Sequence, residues 1–312
     1  MLGDEVAALV VEQYGRLPPR GKPLMRSNGV PEWTVLAGVV IRHRGGPLEC
    51  VSVATGVKAL PDEKVRAAHG RVLHDSHAEV LALRAFNRYV VAAGTAHIAA
   101  VYLYVCAPPC GDASLSLLNT APGAEAWSDP APASDQLLRG RAHFNLEGRV
   151  RTKPGRGDSP LTMSKSCSDK LCLRQTRGVL LAPVRQLYAP LFLTALVCPQ
   201  ICPDFERAFT RWDPRHRFAF ELTTIAFADF HPDVGKPSPV SVAWWCGGQP
   251  EVIANGVLQG SGRPSSISRV ELTRAVQNQA MLPASTYLAL KSETAYPPAW
   301  TRTAPDDFAL RP

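Results

Sequence analysis

A helical pattern between apolar segments constrains the fold of this 312-residue chain more than any other feature. Apolar residues recur near helical spacing from residue 76 to about residue 91. Before this pattern, residues 34–41 and 50–55 have the composition of two strands joined as a hairpin, and residues 98–106 after it form a third apolar strand. This order predicts an α/β fold with a mixed sheet and helices packed on its faces.

The helical pattern opens with a histidine and a carboxylate two residues apart, His77 and Glu79. Neutral imidazole is a common zinc ligand, and an acid that does not bind the metal can move protons beside it. One such pair is a weak signal, because Ser76 and Glu79 also have the spacing of a capping box. In that alternative, Glu79 only stabilises the start of the helix.

Two distant cysteines give this pair a chemical context. Cys110 follows the third predicted strand, and Cys167 precedes a second predicted helix over residues 168–177. With His77 they offer one imidazole and two thiolates, which leaves one position of a tetrahedral zinc site for water. Glu79 would then move protons between water, the ring nitrogen and leaving ammonia, as in zinc-dependent nucleobase deaminases. The alternative is a capped helix with two structural thiols.

One residue departs from the compact deaminase pattern Pro-Cys-x-x-Cys. Ala113 stands where that pattern has its second cysteine, so an insertion separates Cys110 from Cys167. Within the insertion and just beyond it, residues 139–177 contain ten basic and three acidic residues, a net +7 that equals the formal net charge of the whole chain. A basic segment beside a candidate active site predicts a polyanionic substrate such as RNA. The alternative is a solvated loop.

The other cysteines are predicted to be reduced and structural, because a chain of this size without a secretion signal keeps its thiols free. They are Cys50, Cys106, Cys172, Cys198, Cys202 and Cys246. The first 17 residues have the pattern of an amphipathic helix, and the longest apolar segment, residues 187–198, is too short to span a bilayer. We therefore expect one intracellular domain over residues 1–312, cytoplasmic or nuclear, with a flexible insertion at 119–135 and a basic loop at 139–165.

From Val35 onward the sequence resembles the adenosine deaminases that edit RNA, in six segments that follow the order of that family. They are residues 35–39 (Val-Leu-Ala-Gly-Val), 52–58 (Ser-Val-Ala-Thr-Gly-Val-Lys), 75–79 (Asp-Ser-His-Ala-Glu), 109–113 (Pro-Cys-Gly-Asp-Ala), 151–153 (Arg-Thr-Lys) and 166–170 (Ser-Cys-Ser-Asp-Lys). The segment at 21–23 (Gly-Lys-Pro), so near the start, is similar to the eukaryotic tRNA-specific branch of the family.

The resemblance implies a cytidine-deaminase-like zinc core of α/β/α layers with a C-terminal extension. It implies hydrolytic deamination of adenosine to inosine in tRNA, at the adenosine just 3′ of the anticodon of alanine tRNA. His77, Cys110 and Cys167 are the implied zinc ligands, and Glu79 is the implied proton shuttle. The expected partner is tRNA, with no membrane, and the chain is expected to be monomeric.

The resemblance also implies contacts to substrate and to a second cofactor. Lys58 falls where the family contacts substrate phosphate or ribose, and Arg156 falls in its base-flipping loop, where the mRNA editors have an acid. The family buries inositol hexakisphosphate as a structural cofactor, which requires several cations around a polyanion. The positions that match this site are Arg84, Lys170, Tyr287, Lys291 and Trp300.

Two departures affect the predicted inositol phosphate site. Leu83 stands where the family has the first of two consecutive arginines, and residues 297–298 (Pro-Pro) stand where a helix with a further tyrosine and lysine is expected. Either the site is incomplete or the sequence of this segment is in error.

Other functions stay open at this point. Editing of structured mRNA is disfavoured because the sequence leaves no room before the domain for double-stranded-RNA-binding domains, and deamination of free nucleosides is disfavoured by the basic segment. A catalytically impaired RNA-binding homologue with a truncated C-terminal core is opposed by Glu79 and favoured by the shortened C-terminus.

Overall fold

The structure is a computed structural model that describes residues 1–120, 137–153, 159–212, 217–292, 296–297, 300 and 306–310. Most of the predicted insertion at 119–135 lies outside the described residues, as does Arg156.

The described residues form the following helices and strands. The helices are α1 (Leu2–Arg16), α2 (Asp62–Val65), α3 (Ala78–Ala93), α4 (Leu115–Thr120), α5 (Cys167–Arg177), α6 (Asp204–Thr210), α7 (Arg269–Gln277) and α8 (Tyr287–Ser292), with 3₁₀ turns at Asp112–Ser114 and Val184–Gln186. The strands are β1 (Glu32–Trp33), β2 (Leu36–His43), β3 (Leu48–Thr55), β4 (Val57–Ala59), β5 (Asp75–His77), β6 (Ile98–Val105), β7 (Leu137–Leu138), β8 (Val150–Arg151), β9 (Ala195–Cys198), β10 (Ala219–Leu222), β11 (Lys236–Pro237), β12 (Ser241–Trp245), β13 (Glu251–Ala254) and β14 (Val257–Leu258).

One mixed sheet organises these elements, in the strand order β10-β9-β6-β2-β3-β12-β13-β14. The predicted hairpin is β2–β3, an antiparallel pair with Leu36 opposite Thr55, and the third predicted strand is β6, antiparallel to β2. Strands β6, β9 and β10 run parallel to one another. The predicted mixed α/β fold is therefore confirmed.

Helices cover both faces of the sheet because successive side chains of each strand point to opposite sides. On one face, Val6 and Val10 of α1 pack with Val40 of β2. Gly38 allows this contact, since a Cβ atom there would lie 2.5 Å from a methyl carbon of Val10. On the other face, α3 buries Leu81 and other apolar residues in a second core. The result is the α/β/α layering that the resemblance implied.

The first turn of α3 begins later than the sequence pattern suggested. Asp75, Ser76 and His77 form β5, which pairs with β4, and His77 is the N-cap residue without a side-chain capping bond. The alternative of a capping box on Ser76 and Glu79 does not fit, because the N-cap residue is His77 and Glu79 is therefore the second residue of the helix, not the third. Glu79 lies in the first turn of α3. No helix among the described residues is long and apolar enough to cross a membrane.

Candidate metal and catalytic centre

Three side chains that were distant in sequence converge beside the start of α3. The Nδ1 atom of His77 lies 3.8 Å from the Sγ atom of Cys110 and 3.6 Å from that of Cys167. Ligands of a tetrahedral zinc ion, at about 2.0–2.3 Å from the metal, stand roughly 3.5–3.8 Å apart. All three ligand atoms lie within 4.8 Å of one another, so their chemistry and spacing fit one metal ion.

The backbone explains how these residues meet. His77 ends β5, and Cys167 is the first residue of α5, so both lie at helix N-termini. Cys110 lies in the turn after β6, where the Ser168 amide donates to its carbonyl at 3.0 Å. Gly111 follows with a φ of +104°, and a Cβ atom there would lie 2.2 Å from the hydroxyl oxygen of Ser166. Glycine therefore lets the two cysteine segments approach each other.

A buried lysine that the sequence interpretation did not assign lies against both thiols. The Nζ atom of Lys153 is 2.6 Å from the Sγ atom of Cys167 and 3.6 Å from that of Cys110. Burial opposes a charge on Lys153, but Asp75 and the two cysteines raise its pKa well above the ordinary value. Lys153 stands in the Arg-Thr-Lys segment of the resemblance, and that segment is the signal that could have identified it.

The two thiols titrate as a pair. A hydrogen bond from Cys167, together with the charges of Lys153 and His77, holds the pKa of Cys110 well below the ordinary value. Burial and the neighbouring Cys110 raise the pKa of Cys167. The pair therefore favours one thiolate, stabilised by Lys153 and His77, which is prepared to bind a cation.

The six remaining cysteines behave as the structural thiols that the sequence predicted. All are free, and burial raises the pKa of each, to about 12 for Cys172 and Cys198 and about 11 for Cys202. Cys50, Cys106 and Cys246 are raised by burial as well. Cys110 differs from them in its lowered pKa, and Cys167 differs in its contacts with His77 and Lys153.

Glu79 is buried beside the three candidate ligands, with 4% of its surface exposed. Its Oε2 atom has no hydrogen-bond partner among the described residues. Burial raises the pKa of Glu79, and the charges of Lys153 and His77 oppose this effect. A carboxylate with a raised pKa and an unpartnered oxygen is suited to accept and return a proton.

Asp75 joins this centre to a larger cavity. Its Oδ2 atom lies 3.4 Å from the Nζ atom of Lys153 and in a short hydrogen bond with Lys170. Its Oδ1 atom accepts from the amide of His77 at 3.0 Å. Burial opposes ionisation of Asp75, but Lys153 and Lys170 outweigh it and hold its pKa well below the ordinary value. The chain Lys170–Asp75–Lys153 thus alternates positive and negative charge up to the Cys167 thiol.

The five residues predicted to bind inositol phosphate line that cavity, whose volume is about 420 Å³. They are Arg84, Lys170, Tyr287, Lys291 and Trp300. We name it the cation cavity, because eight basic side chains and three carboxylates line it, an excess of five positive charges. The basic ones are Arg84, Lys165, Lys170, Arg174, Arg177, Arg185, Arg269 and Lys291, and the acidic ones are Asp75, Glu79 and Asp306.

Several residues of the cation cavity were missed from the sequence. Lys170, Arg174 and Arg177 follow the i, i+4, i+7 spacing of one helix face, so a predicted helix over 168–177 could have revealed two of them. Arg185 and Arg269 come from other elements, and no local pattern places them there. Tyr296 also lines the cavity. It lies just before residues 297–298, where the sequence lacks the expected helix with a further tyrosine and lysine.

The basic segment 139–177 is largely internal. Arg151, Lys153 and Lys165 are buried, and Lys170, Arg174 and Arg177 line the cation cavity. The guanidinium of Arg151 donates to the carbonyls of residues 140, 142, 143 and 146. Neither interpretation of the segment, an RNA-binding surface or a solvated loop, accounts for these six residues. Their positive charges lie inside the protein instead.

The structure describes only one of the two residues predicted to contact substrate. Lys58 is exposed on β4 and pairs in register with Ser76, next to the metal-ligand candidate His77. Its side chain therefore starts at the rim of the centre. Arg156 lies outside the described residues.

Comparison with known proteins gives matches to one family. Residues 52–102 match the family model for the adenosine-deaminase (editase) domain. The chain is 39% identical over 236 residues to a tRNA-specific adenosine deaminase 1 of Saccharomyces cerevisiae, an alignment that covers 64% of this chain and 59% of the relative. It is 39% identical over 221 residues to the protein of that name from Schizosaccharomyces pombe, covering 63% and 57%.

A human protein of the same name is 40% identical over 102 residues, or 28% of this chain and 19% of the relative. The chain thus spans less than two thirds of the length of these relatives. The matched segment 52–102 contains His77, Glu79 and Arg84, and so includes parts of both the metal centre and the cation cavity. These matches confirm the resemblance found in the sequence: the chain is similar to proteins named tRNA-specific adenosine deaminase 1, and its residues 52–102 match the adenosine-deaminase (editase) domain.

Proposed function

We propose that this chain catalyses zinc-dependent hydrolytic deamination of adenosine to inosine in tRNA. The observation that supports it most is the convergence of His77, Cys110 and Cys167 beside Glu79, a buried acid with one unpartnered oxygen. An imidazole, two thiols and a free acid are the side chains that zinc nucleobase deaminases use.

His77, Cys110 and Cys167 would hold the zinc ion, which supplies Lewis-acid activation of a water molecule when bound. Glu79 accepts a proton from the attacking water at Oε2 and returns it to the ring nitrogen of adenine. A second transfer from water through Glu79 protonates the leaving amino group. A C–O bond thus forms at the purine carbon, the C–N bond breaks, and ammonia leaves.

Lys153 and Asp75 position and stabilise the two thiolates. The ammonium of Lys153 lies against both sulfur atoms and offsets their negative charge in the buried centre. Asp75 holds Lys153 in place and fixes the backbone of His77 through its second oxygen. We expect these residues to tune the centre and not to touch the substrate.

The substrate we propose is the adenosine just 3′ of the anticodon of alanine tRNA, as the resemblance implies. Lys58, exposed beside β5, is the proposed contact to phosphate or ribose, and Arg156 is the proposed residue of the base-flipping loop. An anticodon-loop base is already outside a duplex, so its extrusion costs little.

We also infer that inositol hexakisphosphate occupies the cation cavity. Cations reach this cavity from α3, α5, α7 and α8, so a ligand with phosphates around its whole perimeter satisfies more of them than a single phosphate does. The Nη1 atom of Arg84 and the Nη2 atom of Arg177 are buried and have no hydrogen-bond partner among the described residues. A buried guanidinium nitrogen without an acceptor is costly, and a polyanion would supply the acceptor.

A tRNA assay tests the catalytic proposal. Purified protein is incubated with an alanine tRNA transcript, and inosine is detected by reverse transcription as a change from A to G. We expect conversion at the base 3′ of the anticodon, and none in a transcript with guanosine at that position. Parallel reactions with a structured mRNA duplex and with free adenosine distinguish the other deaminase activities. If none of the substrates reacts and zinc is bound, the chain is a catalytically impaired RNA-binding homologue.

A further inference from the structure

Each of the two candidate thiolate ligands is followed, two residues later, by a buried carboxylate. Asp112 follows Cys110, and Asp169 follows Cys167. Both carboxylates are fully buried, and each belongs to the backbone segment that carries its cysteine. Buried charges need partners, because an unpaired one strongly destabilises the fold. The partners of these two carboxylates come from a separate element, helix α6 and the residue that follows it.

Arg211, at the end of α6, joins the two carboxylates. Its Nη2 atom donates to Asp169 in a short hydrogen bond, and its Nη1 atom lies 3.5 Å from the Oδ2 atom of Asp112. Only 11% of the Arg211 side chain is exposed. A planar guanidinium can bind two acceptors at once because its donors point in fixed directions. One side chain therefore connects the two cysteine segments.

Arg207, one turn earlier on α6, strengthens the connection on one side. Its Nε atom lies 3.4 Å from the Oδ2 atom of Asp112, and its Nη2 atom donates to the Asp112 carbonyl at 3.3 Å. The same guanidinium also binds Asp204 at 2.6 Å and Glu147 at 2.9 Å. Arg207 thus supports the segment of one cysteine, whereas Arg211 spans both segments.

The bridged carboxylates in turn hold the backbone beside the thiols. Asp169 accepts from the Arg151 amide at 2.8 Å and from the Ser166 hydroxyl, and the Asp169 amide donates to that hydroxyl at 3.1 Å. Ser166 is the N-cap of α5, and Cys167 is the first residue of this helix. A shift of the Asp169 carboxylate would therefore move the backbone that carries a candidate ligand.

We propose that Arg211 is a positioning residue of the metal centre, which fixes the spacing of the two thiolate ligands by binding a carboxylate on each cysteine segment. This inference rests on the proposed zinc site. Two neighbouring thiolates repel each other, so a link between their backbone segments opposes their separation. Groups that orient metal ligands strengthen metal binding without contacting the metal themselves. Arg211 acts in this way, through the carboxylates.

The test measures how fast the folded protein releases zinc. Wild type, Arg211→Gln and Arg211→Lys are purified as full chains and loaded with zinc, and release to an excess of a coloured chelator is followed well below the unfolding temperature. Arg211→Gln should release zinc about 10–100-fold faster than wild type. Arg211→Lys keeps the charge but lacks the paired donors, so its rate should lie between the other two.

Arg217→Gln is the matched control. It removes an exposed arginine that pairs with Glu206 of α6, so it perturbs the same helix without touching the cysteine segments. Its zinc release should equal that of wild type. The double variant Arg211→Gln/Asp169→Asn should release zinc no faster than the faster of its two single variants, because both changes break the same contact.

Release in low concentrations of urea separates positioning from general stability. If Arg211 positions the ligands, the faster release should hardly depend on urea, because only the metal centre loosens. A release rate that rises with urea as steeply as global unfolding does would show that Arg211 only stabilises the fold, and would overturn the inference. If Arg211→Gln does not fold, the rate of Arg211→Lys decides in the same way.

The same measurements distinguish this inference from the zinc proposal. Wild-type release rates in both Arg211 variants, from a wild-type protein that binds zinc, would overturn the inference and leave the metal site intact. A wild-type protein that binds no zinc would overturn both.

Discussion

The candidate metal centre and the cation cavity are adjacent buried polar sites, but they differ in how their buried charges are balanced. In the metal centre, Lys153 lies against the two thiols and Asp75 lies against Lys153, so charges of opposite sign alternate within a few ångströms. In the cation cavity, eight basic side chains face three carboxylates. In the first site the protein's own charges of opposite sign face each other, whereas the second keeps an excess of five positive charges that the proposed polyanion would offset.

The two sites also depend on each other, because they share residues. Asp75 and Lys170 belong to the cavity wall, yet they fix Lys153 beside the Cys167 thiol. The proposed polyanion would therefore also hold the alternating charges Lys170–Asp75–Lys153, which end at the candidate metal ligand Cys167.

The largest effect is expected from Cys167→Ala. Loss of one of three protein ligands should reduce bound zinc from about one per chain to near zero, and deamination should be abolished. Zinc is measured by elemental analysis. The matched control is Cys172→Ala, which removes another buried thiol of α5 whose pKa is raised to about 12. Retention of zinc by the Cys167 variant would remove Cys167 from the ligand set.

Glu79→Gln should separate metal binding from proton transfer. The amide keeps the shape of the side chain but cannot accept a proton, so turnover should fall by about 10²–10⁴-fold or more. Zinc content and the thermal unfolding temperature should stay near those of wild type. Substantial activity in this variant would mean that another group moves the proton.

Lys153→Met should weaken the metal centre without removing a ligand. It leaves the two sulfur atoms and Asp75 without their shared ammonium, and we expect zinc affinity or turnover to fall about 10–100-fold. Competition with a chelator measures the affinity. Lys64→Met, at an exposed position of α2, is the control. Equal chelator resistance in both variants would show that Lys153 does not support the thiolates.

The stability of the protein should depend on pH through His74, which lines the cation cavity. Burial and the charge of Lys170 lower the pKa of His74 to about 4, below that of an exposed histidine. The unfolded chain therefore binds more protons than the folded one between about pH 6.5 and 4, and the free energy of unfolding decreases as the pH falls through this window.

His74→Gln should reduce this loss by about 1–3 kcal/mol in denaturant titrations at pH 7 and pH 4.5. His231→Gln, at a position that does not line the cavity, is the control. If His74→Gln has the pH dependence of wild type, the wild-type His74 imidazole takes up its proton at the same pH in the folded and in the unfolded chain.

The smallest effect concerns the rim of the metal centre. Lys58→Ala removes one exposed charge, so KM for tRNA should increase a few-fold. The slope of log KM against log salt concentration should decrease by about one, the effect of one lost phosphate contact. Turnover at saturating tRNA should not change. A fall in kcat with an unchanged KM would place Lys58 in the chemical step instead.

Sequence reasoning succeeded where local patterns carry the information. The spacing of apolar residues predicted α3, the β2–β3 hairpin and β6, because burial on a sheet or helix face imposes a fixed period. It placed the start of α3 at Ser76, two residues early, since pairing between β5 and β4 keeps Asp75–His77 extended. It also took the charge of residues 139–177 for a surface property, although much of it is buried.

The kinds of reactive group follow from the amino-acid sequence alone: an imidazole, two thiols, a free acid and an excess of basic residues beside them. The partners that these groups meet depend on the tertiary fold. Lys153 joins the thiols, and Arg185 and Arg269 join the cavity, through contacts between segments far apart in the chain. The physical reason is that a pKa or an unbalanced charge depends on distances through space, which the order of residues does not specify.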